Sequence, residues 1–529
     1  MTAGQARIFT AETVHTMTEA APPAFATFGE TIVATGGVAQ LRARFPEAEV
    51  HDFGKAVLLP GFNDAHQHPS IMAEQLLEVD CSPELVGSRA ELFARLTERA
   101  ATTPAGQWVI GCRYDHAKST AGTVVTRAEL DHVCPDHPVF LRQIGMHWGV
   151  LNTAGLRAAG LDEATELPAG GELGRDPAGR LTGTVYERAM FELVEPAIPE
   201  RGLDERLSGL RRYQRMMHAA GITSVGDALV WPRGLRLLQE AHARRELTLR
   251  VNMLLAYSSL DAMQAAGLRT GLGDTRLRIG GVKAFVDGAV AGGTCLLEEP
   301  YEDSCGHGIQ AMPTEELGDF VSTVHHAGST VCVHANGDRA IRLLLDAVEA
   351  AQRADPRPPA RHRIEHCSLV DPELLARIAA LGMVAVPFGS YVAFHGEKLP
   401  GYYGRRRAAR MFAHRALLDA GIPVAGSSDF PCGPYDVRLA LRSCVTRETA
   451  DGTVLGEDQR ISQEEAVALY TTGAAYASGE ESRKGTIAEA MLADFIVLDR
   501  DPLHVPGREL TEIAVEQTWV GAERVWSRG

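Results

Sequence analysis

Two histidines separated by one residue, His66 and His68, follow an apolar run at 56–59 and a Pro-Gly turn. If the chain is extended there, residues i and i+2 point to the same face, so both imidazoles can reach one metal ion. With 19 histidines in 529 residues, about 0.7 such triplets are expected by chance. The pair alone therefore indicates only a candidate site, and its meaning depends on the rest of the chain.

Apolar, β-branched runs alternate with helical patterns through the middle of the chain. This alternation is typical of a parallel (β/α)8 TIM barrel, with a doubly wound open sheet as the alternative. The eight predicted strands comprise one that opens at Leu58 and others at 222–225, 248–255, 277–286, 330–334, 362–366, 383–386 and 422–426. The predicted helices span 204–219, 234–245, 314–326, 339–354, 372–380 and 408–420.

Side chains that can hold a metal ion recur in or directly after five of the predicted strands. In a barrel of this kind the active site lies at the C-terminal ends of the strands, so these residues would meet. Taken singly, each has an ordinary alternative: a core histidine bonded to a neighbour, an aspartate capping a helix, or a paired lysine. Their shared position favours a metal site. The candidates are His66, His68, Lys283, His334, His366 and Asp429.

The two ends of the chain differ from the middle, because short predicted strands are separated there by Gly or Pro. We expect residues 1–57 and 480–529 to meet in one small composite β domain, and residues 58–479 to form the barrel. A segment at about 70–203 is too long for an ordinary connection between the first two barrel strands. It is therefore predicted to be an inserted subdomain.

Composition excludes several classes of protein. The formal net charge of −16 argues against nucleic acid or an anionic membrane as a partner. Nine scattered cysteines without a CxxC pair indicate neither a disulfide framework nor a thiolate zinc site. The stretch 378–396 is free of charge but reads as a buried strand and loop rather than a membrane span. With no signal-peptide pattern in 1–15, we expect a cytoplasmic protein.

Stretches distributed over nearly the whole chain resemble the amidohydrolase superfamily. The similarity is greatest to its family-3 branch of YtcJ-like and N-substituted-formamide-deformylase-like metal-dependent hydrolases. The stretches that carry the resemblance are 60–68, 171–186, 282–288, 334–340, 363–366, 426–431, 470–476, 483–487 and 492–498.

The resemblance implies a deformed TIM barrel, a β-sandwich shared by both termini, and one or two divalent metals, with zinc as the first candidate. It implies that His66 and His68 hold the more buried metal with Asp429. By the same resemblance, His334 and His366 hold the second. Lys283 matches a bridging lysine that relatives often carboxylate with CO₂, since a carbamate offers two oxygens where an ammonium offers none.

The sequence departs from the family pattern at 143–152, where relatives commonly read Asp-Gly-His. His147 and Trp148 are therefore candidate substrate contacts, with a packed aromatic turn as the equal alternative. Arg339 is a candidate contact for an acidic substrate, although Asp338 and Arg339 can also pair at a helix start.

The metal-compatible residues predict hydrolysis by metal-activated water. The resemblance implies an amidohydrolase that cleaves a C–N bond, other than a peptide bond, in a small molecule. The scissile bond would be an amide, an N-formyl or N-acyl group, or a cyclic amide. Asp429 would act as general base and then as general acid. The alternatives are a metal-dependent decarboxylase or isomerase on the same site and, from another class, a non-catalytic barrel binding protein. A homodimer is expected from the size of the class alone.

Overall fold

The computed structural model describes residues 6–302, 304–356, 358 and 360–529. Residues 1–5 of the predicted 1–57 segment lie outside the described residues. In chain order the strands are β1 (Ala6–Thr10), β2 (Thr13–Val14), β3 (Ala24–Phe28), β4 (Thr31–Gly36), β5 (Glu49–Asp52), β6 (Val57–Pro60), β7 (Phe62–Gln67), β8 (Val79–Asp80), β9 (Val109–Tyr114), β10 (Val139–Gln143), β11 (Trp148–Leu151), β12 (Gly171–Arg175), β13 (Leu181–Glu187), β14 (Ile222–Val230), β15 (Arg250–Ala256), β16 (Leu277–Phe285), β17 (Val331–Ala335), β18 (Arg363–His366), β19 (Val384–Val386), β20 (Phe495–Leu498), β21 (Val515–Val520) and β22 (Glu523–Ser527).

The helices are α1 (Val38–Arg44), α2 (Pro69–Gln75), α3 (Arg89–Thr102), α4 (His116–Ser119), α5 (Arg127–Val133), α6 (Thr153–Ala158), α7 (Leu203–Ala219), α8 (Pro232–Ala243), α9 (Leu260–Ala266), α10 (Thr314–His326), α11 (Asp338–Ala354), α12 (Pro372–Ala380), α13 (Tyr391–His395), α14 (Leu399–Arg410), α15 (His414–Asp419), α16 (Val437–Thr446), α17 (Gln463–Ala468) and α18 (Ala474–Ala477). Short 3₁₀ or π-helical turns lie at Met190–Val194, Glu195–Ala197, Tyr257–Ser259, Glu457–Gln459, Leu469–Gly473 and Gly507–Glu512.

Seven parallel strands form the barrel wall, in the order β19-β18-β17-β16-β15-β14-β7. Residues 424–429 fill the gap between β7 and β19. Val424 forms a parallel bridge with Ala385 on one side. On the other side the backbone N–H of Asp429 donates to the carbonyl of His66 at 2.9 Å. The seven-stranded sheet is therefore nearly closed, with this segment in the gap, and the open-sheet alternative does not apply.

The predicted eighth strand at 422–426 is wrong as a regular strand, because its residues make only isolated bridges to the neighbouring sheet. Pro423 has no backbone N–H to give to a strand ladder, so a continuous ladder cannot form there. Its carbonyl still accepts from the N–H of Ala385 at 3.0 Å. The segment therefore follows the barrel wall without strand geometry.

The prediction that the first barrel strand opens at Leu58 is also wrong. Leu58 lies in β6, which pairs with β20 near the C-terminus. The barrel strand is β7, which begins at Phe62 after the single residue Gly61. The turn at Pro60 and Gly61 thus separates two strands that belong to different sheets.

Helices cover the outside of the barrel, and their amphipathic spacing explains why. On α11, buried apolar residues recur at three- and four-residue steps, so one face packs on the strands. At the start of α12, Asp371 accepts from the N–H of Leu374 and caps the helix. The helix predicted at 408–420 is wrong as one element: α14 ends at Arg410, and α15 begins at His414 after Phe412, whose φ is 53°.

The insertion at about 70–203 contains a sheet of its own, in the order β12-β13-β11-β10-β9-β8. Apolar side chains from this segment form their own clusters on the sheet, such as the one around Leu92, Val109 and Leu141. The segment therefore adds a structured wall beside the barrel rather than an extended loop.

Both ends of the chain contribute to two further sheets, ordered β4-β3-β1-β5 and β2-β6-β20-β21-β22. Phe9 and Phe25 from the first sheet pack with Phe495 and Trp519 from the second in one apolar cluster. β20 pairs with β6, so strands from both ends of the chain lie side by side in one sheet. The β-sandwich domain and its bounds at 57 and 480 stay a prediction. No helix among the described residues combines the length and apolar character needed to cross a bilayer.

Candidate active site

The six candidate residues line one cavity of about 490 Å³ at the C-terminal ends of the barrel strands. This volume lies in the range of small-molecule sites. His66 lies in β7 and His68 directly after it, whereas Lys283 lies in β16. His334 lies in β17, His366 is the last residue of β18, and Asp429 lies in the irregular eighth segment.

The tightest group in this cavity consists of His66, His366 and Asp429, whose ligand atoms lie within 4.8 Å of one another. Nε2 of His66 is 3.2 Å from Oδ1 of Asp429, and Nε2 of His68 is 3.0 Å from the same oxygen. The rings of His66 and His366 are 4.6 Å apart. This grouping differs from the partition that the resemblance implies, in which His366 belongs to a second metal.

Glu365, to which the sequence analysis assigned no role, orients His66. Its carboxylate accepts a hydrogen bond from Nδ1 of His66, which leaves Nε2 directed toward Asp429. Arg363 holds Glu365 in turn, with Nε 2.7 Å from Oε1. Burial disfavours the charged form of Glu365, but Arg363 outweighs it and lowers the pKa to about 2. The sequence signal for this role is the pair Arg363 and Glu365, which are two residues apart and so lie on the same face of a buried strand.

Asp287 supports the other side of the site and was likewise given no role. It accepts backbone N–H groups from Leu296, Asn336 and Gly337, each at 2.9 Å, and so ties two loops together above the strands. Nε2 of His334 lies 3.0 Å from the carbonyl of Gly288 and is fixed by that contact. The ring of His334 stands 4.5 Å from that of His366.

Lys283 is fully buried in the barrel and faces the cavity. Its Nζ has no hydrogen-bond partner among the described residues and lies 4.6 Å over the ring of Phe285. Burial lowers the pKa of Lys283 to about 8. An ammonium in this position is costly, because nothing described in the cavity wall compensates its lost hydration by a direct bond.

Backbone strain marks two of the candidates. His366 has φ of 75° and Asp429 has φ of 56°, both in the left-handed region that non-glycine residues rarely adopt. Such conformations cost free energy and cluster at functional sites. In contrast, the close approach of β14 to β7 uses a glycine: a Cβ on Gly226 would lie 2.1 Å from the carbonyl of Ala65.

The three candidate substrate contacts have different outcomes. His147 lines the cavity, and its Nδ1 lies 2.8 Å from Oε2 of Glu187. Trp148 does not line it; its indole packs against the rings of Tyr114, His116 and Tyr186, which is the packed aromatic alternative. Arg339 is exposed at the start of α11 and also lies away from the cavity lining.

The outer part of the cavity combines an apolar chamber with a neutral chain of ion pairs. Arg142 from the insertion lies 2.8 Å from Glu78 and 2.9 Å from Glu195. Arg233 lies 3.6 Å from both Glu195 and Glu74. Arg206 lies 3.2 Å from Glu74, so three arginines balance the three glutamates along this wall. The apolar chamber is lined by Ile71, Met146, Met190, Phe191, Leu229, Trp231 and Phe285.

Burial shapes the protonation of the cluster. It lowers the pKa of His68 to about 4 and that of His366 well below its usual range, so both imidazoles are neutral near pH 7. Burial disfavours the charged form of Asp429, but His366, His66 and His68 outweigh it and hold the pKa well below its usual range. Neutral imidazoles beside a carboxylate are the protonation states that a metal ligand requires.

The donor atoms fit a divalent cation. Nδ1 of His68, Nδ1 of His366 and Nζ of Lys283 are buried without a hydrogen-bond partner among the described residues. An unsatisfied buried polar group costs about 1–3 kcal/mol, so three in one cavity wall need a reason. Imidazole nitrogens with a carboxylate oxygen suit zinc and its neighbours.

Comparison with known proteins agrees with the motifs. The sequence profile described as "Amidohydrolase family" matches residues 49–526. The N-substituted formamide deformylase of Arthrobacter pascens is 32% identical over 505 residues, covering 93% of this chain and 92% of that relative. YtcJ of Bacillus subtilis (strain 168) is 29% identical over 530 residues, covering 97% and 98%.

Two solved structures of metal-dependent hydrolases are also similar to this chain. An uncharacterised metal-dependent hydrolase from Pyrococcus horikoshii OT3 has a TM-score of 0.77 and 26% identity, covering 95% of this chain and 99% of that chain. A similar protein from Pyrococcus furiosus has a TM-score of 0.74 and 27% identity, covering 94% and 100%. Because the family profile covers most of the sequence, the resemblance is confirmed, and the chain belongs to the amidohydrolase family.

Proposed function

We propose that this protein is a metal-dependent hydrolase that cleaves a C–N bond, other than a peptide bond, in a small neutral amide. The observation that carries the proposal is the convergence of six metal-compatible side chains on one cavity. Family membership supports the reaction class, and the similar metal-dependent hydrolases support the cation.

His66, His366 and Asp429 would hold a divalent cation, with zinc as our candidate, and His68 is near enough to join them. Such a cation supplies a Lewis acid for the substrate carbonyl and lowers the pKa of water. Glu365 holds His66 in the tautomer whose Nε2 is free for that role. Arg363 fixes Glu365, so the orientation is set before any ligand arrives.

Asp429 would move the proton. Its carboxylate is ionised, faces the cavity and receives contacts from two histidines through Oδ1. It can accept a proton from the attacking water and return it to the leaving nitrogen, as general base and then general acid. Such transfer contributes about 10²–10⁴ in rate.

The chamber indicates the kind of substrate. Phe191, Trp231 and Phe285 offer aromatic faces, and the charged wall beyond them is neutral overall. We therefore infer a neutral amide that carries an apolar or aromatic group. N-substituted formamides are our first candidates, since a relative of 32% identity is an N-substituted formamide deformylase.

Lys283 would be carboxylated by CO₂: its neutral amine forms an N–C bond to CO₂ and releases one proton. The buried Nζ without a partner supports this step, because a carbamate oxygen can coordinate a cation and an ammonium cannot. Lys283 and His334 would then be the residues that hold a second cation. If Lys283 is not carboxylated, the site would hold one cation.

The test combines metal content with the fate of the solvent oxygen. Protein purified without chelator is first analysed for zinc and other metals. It is then assayed in ¹⁸O-labelled water on a formamide whose nitrogen carries an arylmethyl group, and on other amides. We expect ¹⁸O in the carboxylic product and loss of turnover after chelation. Turnover without ¹⁸O incorporation would instead favour a decarboxylase or isomerase. Protein that binds metal and ligands but shows no turnover on any of them would favour a binding protein.

A further inference from the structure

A second group of metal-compatible side chains lies outside the cavity lining, where the ends of the chain meet. Among the described residues, two groups of three histidine or acidic side chains bring single ligand atoms within 4.8 Å of one another. One is the cavity group. The other consists of His15, Asp501 and His504.

The geometry of this second group is close to that of a cation site. Nε2 of His15 lies 2.9 Å from Oδ1 of Asp501, and Nδ1 of His504 lies 2.8 Å from Oδ2. With Zn–N and Zn–O bonds of about 2.0–2.2 Å, ligand atoms in a tetrahedral site stand about 3.3 Å apart. Each imidazole nitrogen is within a few tenths of an ångström of this distance from its carboxylate oxygen, and one ligand atom from each of the three residues lies within 4.8 Å of the others.

The backbone holds two of the three ligands in place. The N–H of His15 donates to the carbonyl of Leu58 at 2.9 Å, which fixes His15 beside β6. Oδ1 of Asp501 accepts the N–H of Leu503 at 2.9 Å, in the turn that follows β20. The side chains of His15 and Asp501 are only 19% and 20% exposed. His504 is 77% exposed, so the open side of the site faces water.

We propose that His15, Asp501 and His504 form a surface site for a zinc-class divalent cation, independent of the active site and completed by solvent. Two imidazoles and one carboxylate are a ligand set for zinc or copper rather than for calcium or magnesium. The cation would join residues 486 positions apart in sequence and so fasten the N-terminal segment to the C-terminal one.

The competing explanation is a clamp of hydrogen bonds, in which Asp501 accepts from both imidazoles and binds no cation. A zinc titration separates the two. Wild-type protein with its active site fully loaded is equilibrated with increasing Zn²⁺, and bound zinc per chain is measured by dialysis and elemental mass spectrometry. The variants are His504→Ala and Asp501→Asn, which retains an oxygen able to accept the N–H of Leu503.

His242→Ala is the matched control. His242 pairs with Asp274 at 2.9 Å on the surface but belongs to neither of the two groups. We expect wild type and His242→Ala to take up one Zn²⁺ more per chain than His504→Ala and Asp501→Asn, or to hold it at least about tenfold more tightly. Even hydrogen-bond partners of metal ligands change affinity by 10–100-fold.

Equal zinc uptake and affinity in all four proteins would overturn the proposal. Hydrolytic activity is measured alongside, and His504→Ala should retain the wild-type value because its side chain is exposed and remote from the cavity lining. Loss of the extra zinc at unchanged activity identifies the site as separate from catalysis.

Discussion

Glu365 accepts a hydrogen bond from Nδ1 of His66 across the barrel, although the two residues are 299 positions apart in sequence. Because one ring nitrogen is committed to this bond, the other is the only one free for a ligand. The orientation of the site thus depends on a residue that would never contact substrate.

The Glu365→Gln variant should bind its cation about 10–100-fold more weakly, since the amide holds His66 less firmly and no longer balances Arg363. Metal affinity is measured by competition with a chelator, together with kcat/KM at saturating metal. Glu373→Gln, which alters an exposed pair with Arg342, is the control. An unchanged metal affinity in Glu365→Gln would remove Glu365 from its orienting role.

Asp429→Asn should lower kcat by about 10²–10⁴, because an amide cannot take the proton from water. The neighbouring imidazoles remain, so we expect measurable metal in the variant. Elemental analysis beside the rate assay separates the two roles of Asp429: full metal with lost turnover indicates proton transfer, and lost metal indicates ligation. Asp419→Asn, at an exposed pair with Arg415, should behave as wild type.

Lys283→Ala should lower the metal content of the active site if the carboxylated lysine is one of the residues that hold a second cation. Bound metal per chain is best counted in the His504→Ala background, so that the proposed surface site contributes no metal to the count. Addition of a short carboxylate such as acetate should partly restore turnover, since it can supply the missing oxygens. Unchanged metal content, with no effect of acetate, would show that Lys283 acts in packing or substrate contact.

Trp231→Ala should distinguish large substrates from small ones. Loss of a large apolar contact removes about 1.5–3 kcal/mol of favourable free energy from burial of the substrate. This corresponds to a roughly 10–100-fold lower kcat/KM for amides with an aromatic group. A small amide that does not reach Trp231 provides the internal control and should lose little. An equal loss for both substrates would contradict a role for this chamber in selectivity.

His218 predicts how stability changes with pH. It is buried at the end of α7, with Nδ1 3.0 Å from the carbonyl of Ile222 and Nε2 2.8 Å from Oγ1 of Thr248. Burial lowers the pKa of His218 to about 4. An unfolded chain titrates near 6.5, so it binds the proton first, and stability is lost as pH falls from about 6.5 toward about 4.

The lower pKa of His218 in the folded protein corresponds to roughly 3 kcal/mol of stability above pH 6.5. Urea unfolding measured across this pH range should show a weaker pH dependence in His218→Gln than in wild type. His326→Gln, at an exposed histidine on α10, should keep the wild-type dependence. Parallel pH profiles for all three proteins would mean that other groups dominate the acid sensitivity.

The sequence allowed prediction of features that depend on local pattern. Strands such as β16 and helices such as α10 and α12 lie where hydrophobic periodicity placed them. That His66 and Asp429 line one cavity could be predicted, because the C-terminal ends of barrel strands meet at one face of the barrel. Trp148, by contrast, adjoins a residue that does line the cavity, and its direction depends on neighbours in the inserted sheet that no local pattern specifies.

Relationships across the barrel were not predictable in this way. In the sequence, Glu365 is one charged residue in a short strand, and nothing local indicates that His66 is its partner. The run containing Leu58 looked like a barrel strand because its apolar pattern suits either sheet, and only the pairing with β20 decides between them. Pro423 was the one local signal against a regular eighth strand.

The junction of β6 and β7 connects the candidate active site to strands near the C-terminus. The backbone N–H of Gly61 donates to the carbonyl of Asp494 at 2.9 Å, and β20 lies against β6, which leads through this residue to His66. A proteolytic cut or truncation that removed β20 would leave β6 without that neighbour and weaken the support of β7 and His66. Catalytic turnover can therefore serve as a reporter of whether the C-terminal strands are intact, and fusion tags placed there should be judged by activity as well as by solubility.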